Sequence, residues 1–187
     1  MARLYAWDPD RDPRLACIDQ APFDDSGEDL LLFNGMLLDP GTAINLEQPA
    51  KGTLTDFLYS PTLMMYVSAR ALSVIQQAHT PHLGVHPVVL RNRKGRVVDE
   101  DGYFWINVKP AVRLLDEQRS VFERSIGGGI ARVDSFVIRE DRIPDDDLFL
   151  VEELSLPVFS EKLVREIEAK HVIGATFEDL TTMSWGV

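Results

Sequence analysis

The 187-residue sequence predicts an α+β fold, a mostly antiparallel sheet carrying two short helices in a quasi-repeat of strand-helix-strand units. Three observations point there. The first is Tyr103-Phe-Trp-Ile-Asn-Val108, the densest aromatic and β-branched run in the chain. Phe104, Ile106 and Val108 fall on one face of a pleated ribbon and Tyr103, Trp105 and Asn107 on the other, so this strand needs cover on both sides. The second is a pair of segments that open on serine and continue with apolar residues at helical spacing, from Ser68 and from Ser160. The third is punctuation: apolar runs are short and are separated by proline, glycine and aspartate.

In chain order, residues 3–7 read as a first strand, followed by a loop in which Pro9, Pro13 and Pro22 exclude a long helix. Leu30 to Leu38 reads as a hairpin around Asn34-Gly35. Residues 39–51 hold Pro40, Gly41 and Pro49 without periodicity and read as surface loop, and Thr53 to Tyr59 as a short strand or turn. Ser68 then caps a helix with Leu72, Ile75 and either Ala78 or His79 inward, stopped by Pro81. Val85 to Leu90 pairs with the Tyr103 strand through the charged turn Arg91 to Gly102.

The middle admits two readings. Pro110 with Ala111, Leu115, Gln118 and Phe122 fits a helix that starts on proline, whereas Val112 to Leu115 and Ser120 to Glu123 fit two strands around an Asp116–Arg119 turn. Ile130 to Ile138 and Leu148 to Val151 read as strands separated by the turn at Pro144. Pro157 to Ser160 leads into a helix over residues 161–171 and then an apolar segment to Phe177. Setting Ser160 on Ser68 places Val164 on Leu72, Ile167 on Ile75 and His171 on His79. Chance produces the same match, since capped short helices before strands are common.

A hydrophobic content of 45% over 187 residues supports one domain with one sizeable core. Within it, residues 1–52 read as an irregular Pro/Asp-rich region and 53–187 as the core. The charged N-terminus and the lack of a long apolar run predict a cytoplasmic protein with neither leader nor membrane span. The only cysteine, Cys17, excludes an internal disulfide and fits a reducing compartment. A formal net charge of −11 disfavours nucleic acid and anionic membrane as partners and favours a basic protein.

The sequence carries few chemical signatures. His79, His82 and His86 straddle Pro81 and Gly84 with no carboxylate or cysteine near in sequence, so a metal is not expected; His79 suits a helix C-terminus. Asp8, Asp10, Asp12 and Asp19 imitate a calcium loop, but Pro13 occupies the position that needs glycine. Gly127-Gly-Gly129 lacks the lysine and opening helix of a phosphate cradle and reads as a flexible connection. The basic run Arg91, Arg93, Lys94 and Arg96 reads as a hairpin tip. No Gly-x-Ser-x-Gly elbow is present. Neither a cofactor nor a catalytic residue is expected.

The order of motifs carries a resemblance. A Ser68-initiated helix, His86-Pro-Val-Val-Leu90, a basic Gly95 turn, Tyr103 to Val108, Leu115-Asp-x-x-x-Ser120, Asp147-Leu-Phe149, the Ser160-initiated helix and Ile173-Gly-x-x-Phe177 resemble an immunity-protein family of bacterial polymorphic toxin systems, the family numbered eleven. The resemblance spans about residues 55–180, and Leu150-Val151 departs from it where a basic residue is expected. It implies a small cytosolic protein, encoded beside a secreted or contact-delivered toxin, that binds and neutralises that toxin without catalysis. It also tilts the ambiguous middle segment toward strands.

With the charge, this makes three acidic loops the candidate toxin contacts: Asp24, Asp25, Glu28 and Asp29; Asp99, Glu100 and Asp101; and Asp145, Asp146 and Asp147. Two other functions stay open on the sequence. One is a small hydrolase or nucleotide-processing enzyme with a site assembled from distant residues, and the other is a secretion-associated adaptor. Trp185 either seals the core or joins a dimer, and oligomeric state is undetermined.

Overall fold

In a computed structural model, residues 3–9, 12, 14–18, 21–23, 26–27, 44–48, 52–60, 64–98, 102–109, 111–183 and 185–186 are described. The expected hairpin at Leu30 to Leu38 lies outside them, as do the acidic residues 24, 25, 28, 29 and 99–101. The chain is α+β, and its strands are mostly antiparallel.

Three sheets share the strands. In the first, β1 (Leu4–Pro9) lies between β11 (Leu156–Ser160) and β12 (Ala175–Asp179), and β11 continues to β10 (Leu148–Val151) and then to β7 (Ala111–Val112). In the second, β6 (Tyr103–Asn107) lies between β5 (Gly84–Arg91) and β4 (Met65–Ser68), with β2 (Ile44–Glu47) outside β5 and β3 (Phe57–Leu58) outside β4. The third is small: β8 (Val121–Arg124), β9 (Ile130–Ser135) and β13 (Trp185–Gly186). The parallel pairs are β2 with β5 and β10 with β7.

The helices are α1 (Ala69–Gln77) and α2 (Glu161–Ala169). α1 buries Ala71, Leu72, Val74 and Ile75, and α2 buries Leu163, Val164 and Ile167. They share one apolar cluster with the facing sides of the two large sheets, from Trp7, Leu148, Leu150 and Phe159 on one and Met65, Val67, Ile106 and Val108 on the other. Each buried Val, Leu, Ile, Phe or Met side chain contributes about 1.5–3 kcal/mol by leaving water, so this cluster binds the two large sheets and both helices together.

Alternation by two then sends neighbouring residues to other cores. Phe149, Val151 and Val158 join Leu4, Ala6, Val133 and Phe136 beneath the small sheet. Tyr66, Tyr103 and Trp105 join Ile18, Ile44, Leu46 and Leu90 behind the second sheet. β6 is therefore covered on both faces, as its two apolar sides require.

Three local outcomes bear on the sequence reading. The middle segment forms strands β7 and β8 around a turn at Asp116 to Arg119, not a proline-started helix. Residues 39–51, expected as surface loop, contain β2, whose Ile44, Asn45 and Leu46 are fully buried. Its sequence has no period because a strand docked beside β5 and buried on both faces needs none. The basic run explains part of that docking: Arg91 Nε donates to Asn45 Oδ1 at 2.7 Å and Arg93 Nε lies 3.4 Å from Glu47.

Candidate interaction surface

Both helices begin in the same clasp. The Ser68 hydroxyl accepts the Ala71 N–H at 3.2 Å and donates to Asp56 Oδ1 at 2.6 Å. The Ser160 hydroxyl accepts the Leu163 N–H at 3.2 Å and donates to Asp147 Oδ1 at 2.6 Å. Backbone bonds of 2.8 Å run from Ser68 N–H to the Asp56 carbonyl and from Ser160 N–H to the Asp147 carbonyl. A base two residues into each helix completes the set: Arg70 on Asp56, and Lys162 on Asp147 at 3.0 Å.

Each aspartate also holds the chain leaving the other helix. Asp147 Oδ2 accepts the His79 N–H at 2.9 Å after α1, and Asp56 Oδ2 accepts the Ile173 N–H at 3.0 Å after α2. Gly174 makes the second crossing possible. Its φ is +92°, and a Cβ there would lie 2.3 Å from Thr55 Oγ1 and 2.5 Å from the Phe57 carbonyl oxygen. Burial pushes both carboxyls up, but for Asp56 the bonds from Arg70, Ser68 and Ile173 outweigh it, and for Asp147 those from Ser160, His79 and Lys162 do. Both are held below the usual carboxylate value.

This geometry sorts the third acidic loop. Asp145 is exposed. Asp146, whose side chain is 8% accessible, meets His82 Nδ1 at 3.0 Å. Asp147 is buried and faces its clasp. The loop thus presents one open carboxylate to a partner, with Asp146 shared and Asp147 committed to the fold. The loops of Asp24, Asp25, Glu28 and Asp29 and of Asp99, Glu100 and Asp101 lie outside the described residues.

The histidines diverge. His79 engages Asp147 through its backbone, His82 meets Asp146, and His86 stacks on Trp105 at 5.1 Å. Burial, followed by the charge of Lys109, lowers the His86 pKa. Among the described residues no group of histidine, cysteine and carboxylate side chains is placed to hold a metal ion. Sequence reasoning missed the carboxylates beside this segment because they arrive from the turn just before β10, 64 and 68 positions away.

An open crevice of about 770 Å³ lies between the Arg113–Arg119 segment and Arg139–Arg142. Its charges are largely matched: Arg113 bonds Glu152 at 2.8 Å, Arg139 bonds Asp141 at 3.1 Å, and Arg119 approaches Asp116 at 3.9 Å. The Arg139 hydrogen bond lowers the Asp141 pKa, and the Arg113 hydrogen bond lowers that of Glu152. General-acid catalysis needs the opposite, a carboxyl pushed up toward neutrality.

No helix among the described residues is long and apolar enough to cross a membrane. No curated protein matches this chain. The model of the immunity protein family Imm11 does match, over residues 40–182. That span contains β2 to β12, both helices and both clasps. The chain belongs to the Imm11 immunity protein family.

Proposed function

We propose that this immunity protein neutralises a cognate secreted toxin by stoichiometric occlusion of the toxin's active or substrate-binding face, without chemistry of its own. Family membership supports the immunity role. The observation that carries the mechanism is the net charge of −11, with its carboxylates clustered along the sequence. A nuclease is the toxin chemistry this charge fits, because a nuclease must attract polyanions and an acidic inhibitor competes for the same basic surface and associates quickly. The contact lies in one of three places: Asp24, Asp25, Glu28 and Asp29; Asp99, Glu100 and Asp101; or Asp145, with Asp146 beside it held by His82. Asp147 drops out of the third group because its carboxylate is spent internally.

The test is co-expression with the toxin encoded by the adjacent gene, scoring host survival and recovery of a stoichiometric complex, followed by charge reversal of each loop. Reversal in the contact loop is expected to slow association about tenfold and flatten its salt dependence, with small effects from the other two. Equal effects from all three would remove the localised patch and leave only a diffuse field.

A further inference from the structure

The basic run Arg91, Arg93, Lys94 and Arg96 plays no part in the acidic surface, and it forms a braced turn at the end of β5. Asn92 N–H donates to the Arg96 carbonyl at 2.8 Å, and Gly95 N–H donates to the Asn92 carbonyl at 2.7 Å. The Asn92 side chain adds two more bonds, its Oδ1 accepting the Lys94 N–H at 2.9 Å and the Arg96 N–H at 3.0 Å. Gly95 supplies the positive φ, +73°, that the turn requires. Arg91 reaches back to Asn45 and the Gly95 carbonyl, and Arg93 lies beside Glu47. Lys94 and Arg96 are exposed and engage the turn through their backbone. Among the described residues neither side chain has a carboxylate partner.

This sets the pair apart from most bases of the chain. Arg113, Arg124, Arg132, Arg139 and Arg165 each meet a carboxylate of the same chain at 2.6–3.1 Å. A chain of net charge −11 has carboxylates in excess, yet two bases two positions apart stand on a hydrogen-bonded turn without one. Because the turn is already ordered, bringing both cations to a partner costs little further backbone entropy. Val97, 54% exposed, and Val98, 37% exposed, stand next to them, and apolar neighbours suit a protein partner better than a phosphate backbone. Asp99, Glu100 and Asp101 come next in the sequence and lie outside the described residues.

We propose that the Asn92 to Arg96 turn places Lys94 and Arg96 among the carboxylates with which the cognate toxin holds a divalent cation. This rests on the nuclease reading above and deepens it. A metal-dependent nuclease combines a basic face for its polyanion with a carboxylate set at the centre of that face for the cation. A chain that is acidic overall and carries a braced basic tip complements both parts. A second copy of this chain complements the tip poorly, since two copies of charge −11 repel at long range. Its recesses also lack an open carboxylate set. The recess beside His79 contains no carboxylate, and the one beside Tyr103 contains Asp56 alone, already held by Arg70 and Ser68. The large crevice keeps Asp116, Glu117 and Asp141 against arginines of its own chain. Nucleic acid is disfavoured by the same net charge.

The experiment measures the Kd of the purified chain for the toxin encoded by the adjacent gene, with and without Mg²⁺ at matched ionic strength. If the unaltered chain neither binds that toxin nor protects cells, the immunity reading fails, and the tip proposal with it. If it binds a toxin that needs no divalent cation, immunity stands and the tip proposal falls with the nuclease reading. With a cation-dependent nuclease, Mg²⁺ is expected to weaken binding of the unaltered chain about threefold or more, by competing for the same carboxylates. Lys94→Ala/Arg96→Ala is expected to keep its Tm, bind about tenfold or more weakly, and lose the response to Mg²⁺. A Kd within about twofold of the unaltered chain overturns the proposal and leaves immunity and the nuclease reading standing. Weaker binding with an undiminished Mg²⁺ response would move the tip off the cation site, and a lowered Tm would assign the two side chains to the fold; either overturns the proposal. A DNA complex or a dimer of the chain alone that the double variant abolishes would give the tip to nucleic acid or to a second copy, overturning it as well.

Discussion

The clasp at α1 and the clasp at α2 use the same atoms but different bases and neighbours. Arg70 approaches Asp56 through Nε and Nη2 and also donates to the His171 carbonyl at 2.7 Å, whereas Lys162 makes one bond of 3.0 Å to Asp147. The strand between the two that flank the helix also differs in origin. In the α1 sheet it is β6, which follows β5 along the chain, and in the α2 sheet it is β1, which comes from the opposite end. The α1 unit is thus closed by nearby sequence, and the α2 unit by the N-terminus. The serine, the aspartate and the helix thus keep the same geometry at both starts although the strand completing each unit comes from a different part of the chain. Because each aspartate also grips the segment beyond the other helix, neither clasp is a purely local feature.

Removing either aspartate should have the strongest consequence and tests whether the clasps are equal in weight. Asp56→Ala and Asp147→Ala should each lower stability by about 2–4 kcal/mol in urea unfolding, because several buried or half-buried donors lose a charged acceptor together. A substantial loss at one site only would show that one helix start holds the fold and the other merely decorates it.

Acid gives the next effect. Both aspartates have folded-state pKa values below the ordinary 3.8, so they contribute stability that is fully present above that value and is lost as pH falls through the folded values. Tm should therefore drop steeply below about pH 4. An Asp56→Asn/Asp147→Asn variant should start lower and decline less over the same range. A decline as steep as that of the unaltered chain would place the acid sensitivity elsewhere.

Smallest are the caps. Ser68→Ala and Ser160→Ala should each cost about 1 kcal/mol, since each removes one hydroxyl that accepts from a helix N–H and donates to its aspartate. The Ser160 variant should lose slightly more than the Ser68 variant, because Lys162 alone holds Asp147 less firmly than the arginine fork holds Asp56. Equal losses would show that the identity of the base is immaterial.

Much of the fold was legible, and the legible parts share a cause. Ser68 and Ser160 announce helices because a cap acts within three residues, and Leu72, Ile75, Val164 and Ile167 announce the buried face because helical spacing is local. The two-sided burial of β6 followed from its composition alone. The candidate contacts were less legible. Asp145, Asp146 and Asp147 read as three equivalent surface charges, and no neighbour in sequence distinguishes them. The distinction comes from Ser160 and Lys162 across the β10–β11 hairpin and from His79 across the fold.

The α+β class, both helix starts, the paired strands β5 and β6, the family and the acidic field are all written in the chain, because they rest on local pattern, motif order or summed charge. The division into three sheets, the burial of Ile44 to Leu46 and the turning inward of Asp147 come from three-dimensional packing. Those depend on which distant strand or carboxylate arrives alongside. The bond between Asp56 and Ile173 spans 117 positions, a separation over which no periodicity or propensity carries information.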